Sequence, residues 1–332
     1  MKVLELLERR RKNWLELERL CDHFQSLNFG DKSRYPEMVR FAALYRAACA
    51  DLALADAYQL PQNTVQYLHR LVGRARNLLY RSKSLDVSKW MKILFEDVPQ
   101  QIFNDRCIQF MFVLFWAVFL GAAFLAANNK IWPDFAQDVL GTEQMESLKR
   151  MYSTKIGEEN RDGNINVHMA GFYISHNTGI GFQCFAMGVL VIPGLFIAMQ
   201  NALMLGTSFG YMAQPEILNN EGQNFFHFVT AHGPFELTAI VLSAGAGLRL
   251  GLSWIIPGNM SRLGSLQYHS RKLMPIIPAI MILFFLAALI EGFVSPSALP
   301  YALKVATAMV SSGMLLFYFV VLGMPRGVRH AA

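Results

Sequence analysis

A chain of 332 residues with 53% hydrophobic residues, 16% charged residues and a mean hydropathy of +0.28 is short of charge, since a soluble domain carries about 25%. The deficit is uneven: no Asp, Glu, Lys or Arg occurs from Cys107 to Asn129, and none from Gly163 to Pro215. These runs exclude an ordinary soluble enzyme and specify an all-α, polytopic membrane helix bundle of about six spans, with a polar helical region ahead of it.

The first region, residues 1–83, has helical periodicity. Val3, Leu6 and Leu7, then Trp14, Leu17, Leu20 and Cys21, fall at i, i+3, i+4 and i+7 between charged residues. Gly30 and Asp31 end that helix, Pro36 opens a second reaching Tyr58, and Pro61 opens a third reaching about Tyr80. No Gly-rich phosphate loop and no His, Cys or Asp cluster occurs here. The expected role is a cytoplasmic module that docks a protein partner. The basic run Arg9 to Lys12 reads as a solvated helix face. The four cysteines, Cys21, Cys49, Cys107 and Cys184, are too widely spaced for a zinc site or a redox pair and read as reduced thiols. The first twenty residues contain no apolar core of a signal peptide, so a transmembrane segment is expected to direct insertion.

Residues 84–107 form an amphipathic linker. Trp90, Ile93, Leu94 and Phe95 make an apolar patch among Lys89, Lys92, Glu96 and Asp97, as an interfacial elbow helix or as an ordinary helix of the bundle. The bundle covers residues 108–323, with spans of about 20 residues at 108–127, 173–192, 195–213, 235–256, 273–293 and 301–323. Pro193-Gly194 is the turn between the second and third spans. Residues 128–172 are an extracytoplasmic loop and residues 324–332 a cytoplasmic tail.

Loop charge sets the orientation. Bases exceed acids up to Arg106, acids exceed bases in the 128–172 loop, and Gln214 to Asn224 holds only Glu216 and Glu221. The 257–272 loop has Arg262, Arg271 and Lys272 without an acid, and the tail has Arg326 and Arg329. Six spans with both termini cytoplasmic, in the cytoplasmic (inner) membrane, satisfy every sign. The net charge of +6 follows from this distribution and implies contact with membrane lipids, not nucleic acid.

Ionisable residues within spans default to functional hypotheses. Arg249 is close enough to the inner end of its span to act as a snorkelling anchor. The others converge on the outer half: His176 and Asn177 in the second span, His232 and Glu236 opening the fourth, Glu291 ending the fifth and Lys304 beginning the sixth, with His227 nearby. The bland reading makes Glu236 a first-turn carboxylate complementing the helix dipole and pairs Glu291 with Lys304 across a hairpin. The alternative is a proton, metal or substrate site. Gly233-Pro234 interrupts the His232–Glu236 spacing, so that pair alone does not identify a metal site, and no cofactor is implied. Gly206 and Gly210, Ser243 and Gly247, and Gly247 and Gly251 have the four-residue spacing of tight transmembrane contacts, within the bundle or in a homodimer. Asn201, mid-span, is expected to need a partner helix.

The strings ISHNTGIGF (Ile174 to Phe182), QNALMLG (Gln200 to Gly206), HGPFELTAIVLSAGAGLRLG (His232 to Gly251) and ALIEGFVSP (Ala288 to Pro296) resemble signature segments of the stage II sporulation protein M family of integral membrane proteins, in the family's order and across the C-terminal two thirds. The resemblance implies a membrane subunit. The family's founding member belongs to a complex with peptidoglycan-remodelling proteins and serves engulfment, whereas homologues also occur in organisms that do not sporulate. The long N-terminal helical region departs from the founding member and suggests a different cytoplasmic partner.

The leading expectation is therefore a non-catalytic scaffold or assembly component of a cell-envelope complex. A transporter or channel for a small solute, ion or lipid head group is the alternative, favoured by the outer polar cluster and the interrupted segments at Pro193 and Gly233. An intramembrane hydrolase built on His232 and Glu236 lacks a nucleophile or a regularly spaced third ligand.

Overall fold

The structure, a computed structural model, describes residues 3–25, 35–79, 87–157 and 163–324. The helix end expected at Gly30-Asp31 and the basic tail after Met324 lie outside the described residues. Among the described residues all regular structure is helical. The chain divides into two compact units, Met1–Asp86 and Val87–Ala332.

The first unit is built from α1 (Val3–Gln25), α2 (Tyr35–Ala57) and α3 (Gln62–Leu79). Pro36 lies in the first turn of α2, where a missing N–H costs nothing. Trp14, Leu17 and Phe24 of α1 meet Phe41 and Leu44 of α2 and Leu68 and Leu71 of α3 in a buried core. The core also holds a fully buried carboxylate, Asp51. It accepts a hydrogen bond from Trp14 Nε1 at 2.8 Å and pairs with Arg10. Arg10 thus turns inward out of the basic run, while Arg9, Arg11 and Lys12 face solvent as expected.

The second unit begins with α4 (Val87–Lys92), a π turn over Ile93–Asp97 and α5 (Val98–Asn104). Its exposed start displays Val87, Trp90, Met91 and Phe95, and its end buries Val98 and Ile102. Then come α6 (Arg106–Ala127), α7 (Phe135–Met151), α8 (Gly163–Gly188) and α9 (Ile192–Met212). A short α10 (Pro215–Ile217) and a π turn lead to α11 (Gln223–Val229). They are followed by α12 (Gly233–Ile255), α13 (Arg262–Leu273), α14 (Ile276–Leu289) with a π turn at Ile290–Val294, and α15 (Tyr301–Leu316) with a π turn at Phe317–Val321. The stretch 128–172, read from sequence as a loop, therefore contains α7, bent at Gly141 (φ +75°), and the first turns of α8.

Among the described residues five helical segments are long and apolar enough to cross a membrane: Arg106–Ala127, Ile192–Met212, Gly233–Ile255, Ile276–Val294 and Tyr301–Val321. The more polar α8 runs beside them over the same depth. Ala170 packs on Gly292, Asn177 reaches Glu291, Gly181 meets Phe284 and Gly188 meets Gly247. From Ala170 to Gly188 a helix rises roughly 27 Å at 1.5 Å per residue, close to the ~30 Å of a hydrocarbon core.

Contacts fix the direction of the six long helices of the bundle. Asp105, just before α6, meets Arg249 near the end of α12, and Ala126, near the end of α6, meets Gln214 just after α9. Tyr318 and Gly323, following α15, return to Leu94 and Phe103. Consecutive members of the set α6, α8, α9, α12, α14 and α15 thus alternate in direction.

Helix α12 is the centre: 72% of its apolar stretch is buried inside the protein, against 28% for α6 and α9. Small residues let its neighbours in. A Cβ on Gly247 would sit 2.3 Å from the Phe185 carbonyl oxygen, and one on Gly251 would sit 2.6 Å from that of Val189. A second seam joins α6 to α9, where a Cβ on Gly206 or Gly210 would lie 2.2 Å from the carbonyl oxygen of Phe119 or Ala123. These repeats pack helices within the chain.

The turn between α8 and α9 is made before Pro193, over Val189–Val191, with Val191 at φ +61°. Pro193 instead occupies the first turn of α9, and Gly194 faces the Gly188 backbone, where a Cβ would lie 2.2 Å from its Cα. The sequence locates the hairpin and misplaces its apex by a few residues. Proline is at home in a helix's first turn, so it marks where α9 starts.

Two outcomes test this packing. Gly206→Ala, with no room for its methyl, is expected to cost about 1–3 kcal/mol and to lower the thermal midpoint of the detergent-solubilised chain. Gly121→Ala, on the open side of α6, should leave the midpoint unchanged or slightly raised. In the first unit, Asp51→Ala strips the partners of Trp14 and Arg10. It should destabilise that unit by about 1–3 kcal/mol, read as faster amide exchange in α1 and α2 without change in α12.

Candidate functional site

At the end of the bundle where α12 begins, four elements converge. His232 occupies the residue before α12 in helical conformation (φ −95°, ψ −21°), and the Glu236 N–H donates to the His232 carbonyl at 3.3 Å. The Gly233-Pro234 interruption therefore leaves the i, i+4 geometry intact, with Pro234 tolerated because it stands in the first turn. His232 Nε2 lies 3.6 Å from Glu236 Oε2.

Glu291 arrives from the π turn that ends α14, where the Ser295 N–H reaches the Ile290 carbonyl at 2.8 Å. One extra residue in that turn rotates the next residues relative to a regular helix, a feature common at functional sites. The same turn presents Ser295, whose Oγ lies 2.9 Å from His232 Nδ1. From α8, Asn177 Nδ2 donates to Glu291 Oε2 at 3.1 Å. One ligand atom each from His232, Glu236 and Glu291 all lie within 4.8 Å of one another. His232 is 5% and Glu291 9% exposed, so the group is largely removed from water.

Lys304 is near this group but differently engaged. Fully buried, it donates through Nζ to the carbonyls of Ser295 and Ser297 at 2.7 and 2.9 Å. The expected Glu291–Lys304 pair is not formed. The chain leaving the π turn exposes two backbone acceptors, and Lys304, at the start of α15, satisfies these. His176 is also not part of the group. It is one residue, about 100° around the helix, from Asn177; it is exposed and stacks on Phe172, with centroids 5.7 Å apart. His227 stacks on Tyr301 at 4.7 Å, and burial and the charge of Lys304 hold its imidazole below the ordinary range.

Two contributors carried no usable sequence signal. Tyr152, just after α7, packs edge-on against Phe225 with centroids 5.2 Å apart. Burial raises its phenol well above the ordinary value, and Glu291, Tyr173 and Glu236 push in the same direction. Phe228 lies edge-on to the His232 ring with centroids 5.7 Å apart. Ser295, by contrast, was visible within ALIEGFVSP, but nothing in the string says that its hydroxyl faces an imidazole.

The opposite end is closed by an ion pair. Asp105 accepts from the N–H groups of Cys107 and Ile108 as the N-cap of α6, and receives both Nε and Nη2 of Arg249 at 2.8 and 2.9 Å. Arg249 is thus an anchor to a neighbouring helix end, where the sequence had suggested one to the membrane surface. Asn201 donates to the Ile197 carbonyl of its own helix at 2.9 Å and does not need the partner helix expected for it.

Comparison with known proteins respects the same division of the chain. The model of the family described as stage II sporulation protein M matches residues 110–296, which take in Asn177, His232, Glu236, Glu291 and Ser295 and stop short of Lys304. A model described as a domain of unknown function, DUF8413, matches residues 5–81. No curated protein and no solved structure matches the chain.

Replacing Lys304 by methionine keeps the length and apolar stem but leaves the Ser295 and Ser297 carbonyls without a donor. A loss of about 1–3 kcal/mol is expected, seen as a lower thermal midpoint and as faster amide exchange confined first to residues 290–305.

Proposed function

The chain belongs to the stage II sporulation protein M family of integral membrane proteins, and from that premise we propose that it is a non-catalytic assembly subunit of a cell-envelope complex. In this reading the bundle sits in the cytoplasmic membrane with both termini inside, and the α1–α3 unit docks a protein partner.

One observation carries the reading: the core of the bundle is a backbone-to-backbone contact. α12 is held against α8 through Gly247 and Gly251, and α9 against α6 through Gly206 and Gly210. Packed interiors of this kind are stiff and have little room to deform continuously, which suits a frame that holds other proteins at fixed positions. The separate core of the first unit and its own family match support a second, independently folded module. In this reading its charged exterior, with Arg40 and Glu16 or Arg74 and Asp22 paired at the surface, is the face offered to a partner.

A second reading rests on the other end. His232 and Glu291, both buried, and the part-buried Glu236, beside the short α11 and a π turn, resemble the interrupted segments on which transporters build ion sites. It makes the protein a carrier or channel for a small solute, an ion or a lipid head group.

Flux measurements separate the two. The full chain reconstituted in liposomes should carry no proton, sodium or phosphate flux above empty vesicles, and deleting residues 2–80 should abolish its native high-molecular-weight complex. Flux that disappears in Glu236→Gln would instead establish transport. Orientation is tested with a cysteine at Asn219: an impermeant maleimide should label it from outside intact cells, and labelling only after lysis would overturn the topology.

A further inference from the structure

The arrangement around His232 has the parts of a metal site, and we propose that His232, Glu236 and Glu291 bind one first-row divalent cation of the zinc class at this end of the bundle. The proposal does not depend on the assembly reading.

The first argument is charge. Two carboxylates face each other in a site largely removed from water, and among the described residues neither pairs with a lysine or arginine. Lys304, the nearest candidate, spends its donors on the Ser295 and Ser297 carbonyls. Buried like charges are costly unless something positive is shared between them. A divalent cation supplies that with one particle.

The second argument is the donor set and its geometry. One imidazole nitrogen and two carboxylate oxygens suit borderline first-row ions better than magnesium, which keeps most of its water, or copper(I), which prefers sulfur. Ligand bonds of about 2.0–2.2 Å set neighbouring donor atoms of a tetrahedral site roughly 3.3–3.6 Å apart. His232 Nε2 and Glu236 Oε2 are already 3.6 Å apart, and the Glu291 oxygen needs only a small approach from within 4.8 Å.

The third argument is the surrounding shell. A metal-binding histidine usually donates its other ring N–H to an acceptor that fixes tautomer and orientation. Here Nδ1 lies 2.9 Å from the fully buried Ser295 Oγ. With the proton on Nδ1, the Nε2 lone pair faces the carboxylates. Asn177 performs the matching task for Glu291, donating to one oxygen and leaving the other for an ion. Three protein ligands leave a fourth position for water or for a group from a partner. The ion would tie the start of α12 to the π turn of α14, with α8 held behind it through Asn177.

The test uses the full chain, purified in detergent, stripped with chelator and titrated with Zn2+ or Co2+. The expected result is one equivalent bound per chain, a rise in thermal midpoint on adding zinc and visible d–d absorption with cobalt. Glu236→Gln and Glu291→Gln should each keep a normal elution profile and a metal-free midpoint at or above that of the wild type, because a like charge has gone. They should lose the zinc-dependent rise and bind at least tenfold more weakly. Ser295→Ala, a positioning change, should retain one equivalent with affinity lowered about tenfold. Failure of the wild type to bind either ion overturns the proposal. So does binding that survives in the Glu236→Gln, Glu291→Gln double variant, which assigns the ion to surface pairs such as His69 and Asp56.

Discussion

Close approach of backbones around α12 is the constraint on which the bundle depends. In lipid no hydrophobic force presses helices together, so contact area and interhelical hydrogen bonds must do so. Contact is greatest where side chains are absent. Glycine at 247 and 251 brings the α8 backbone onto α12, and Ile108 of α6 reaches the α12 backbone at Gly245. Once these contacts are set, the depth of every polar group is fixed too, since no helix slides along a seam of this kind without a clash.

The charged groups discussed above lie toward the two ends and are met there locally. Asp105 serves two purposes: it caps the orphan N–H groups of α6 and neutralises Arg249 from α12. Lys304 does for the carbonyls of Ser295 and Ser297 what a C-terminal cap does for a helix. The His232 group differs because, among the described residues, no lysine or arginine pairs with its two carboxylates. That asymmetry between the ends separates structural polar groups from a candidate site, more clearly than burial does.

Much of this was legible in the sequence. Charge-free runs marked the apolar helices, and the ionisable residues read from those runs include the ones the fold gathers where α12 begins. Glu236, His232, Glu291 and Asn177 meet because topology alone brings their helix ends together. What was illegible depended on a residue's angular position or on a local departure from regular helix. His176 and Asn177 are adjacent, yet only one faces inward. The π turn at Ile290–Val294 has no proline or glycine signature distinct from a helix end, although it directs both Glu291 and Ser295. Proline was read as a turn at Pro193, where it starts a helix. The signal for the Asp105 cap, an acid just before an apolar run, was present and is a regular mark of a helix start.

The three-residue link between α8 and α9 bears on how the chain enters the bilayer. α9 is apolar enough to partition on its own, whereas α8 falls short among the described helices, and polar residues oppose insertion of a helix in isolation. With Val189–Val191 as the whole connection, the two form one tight hairpin that sets the polar arm against the apolar one. Besides α9, the partners of α8 are α12 and α14 with its Glu291, which follow later in the chain. The packing of α8 is therefore complete only when the C-terminal half of the chain is in place.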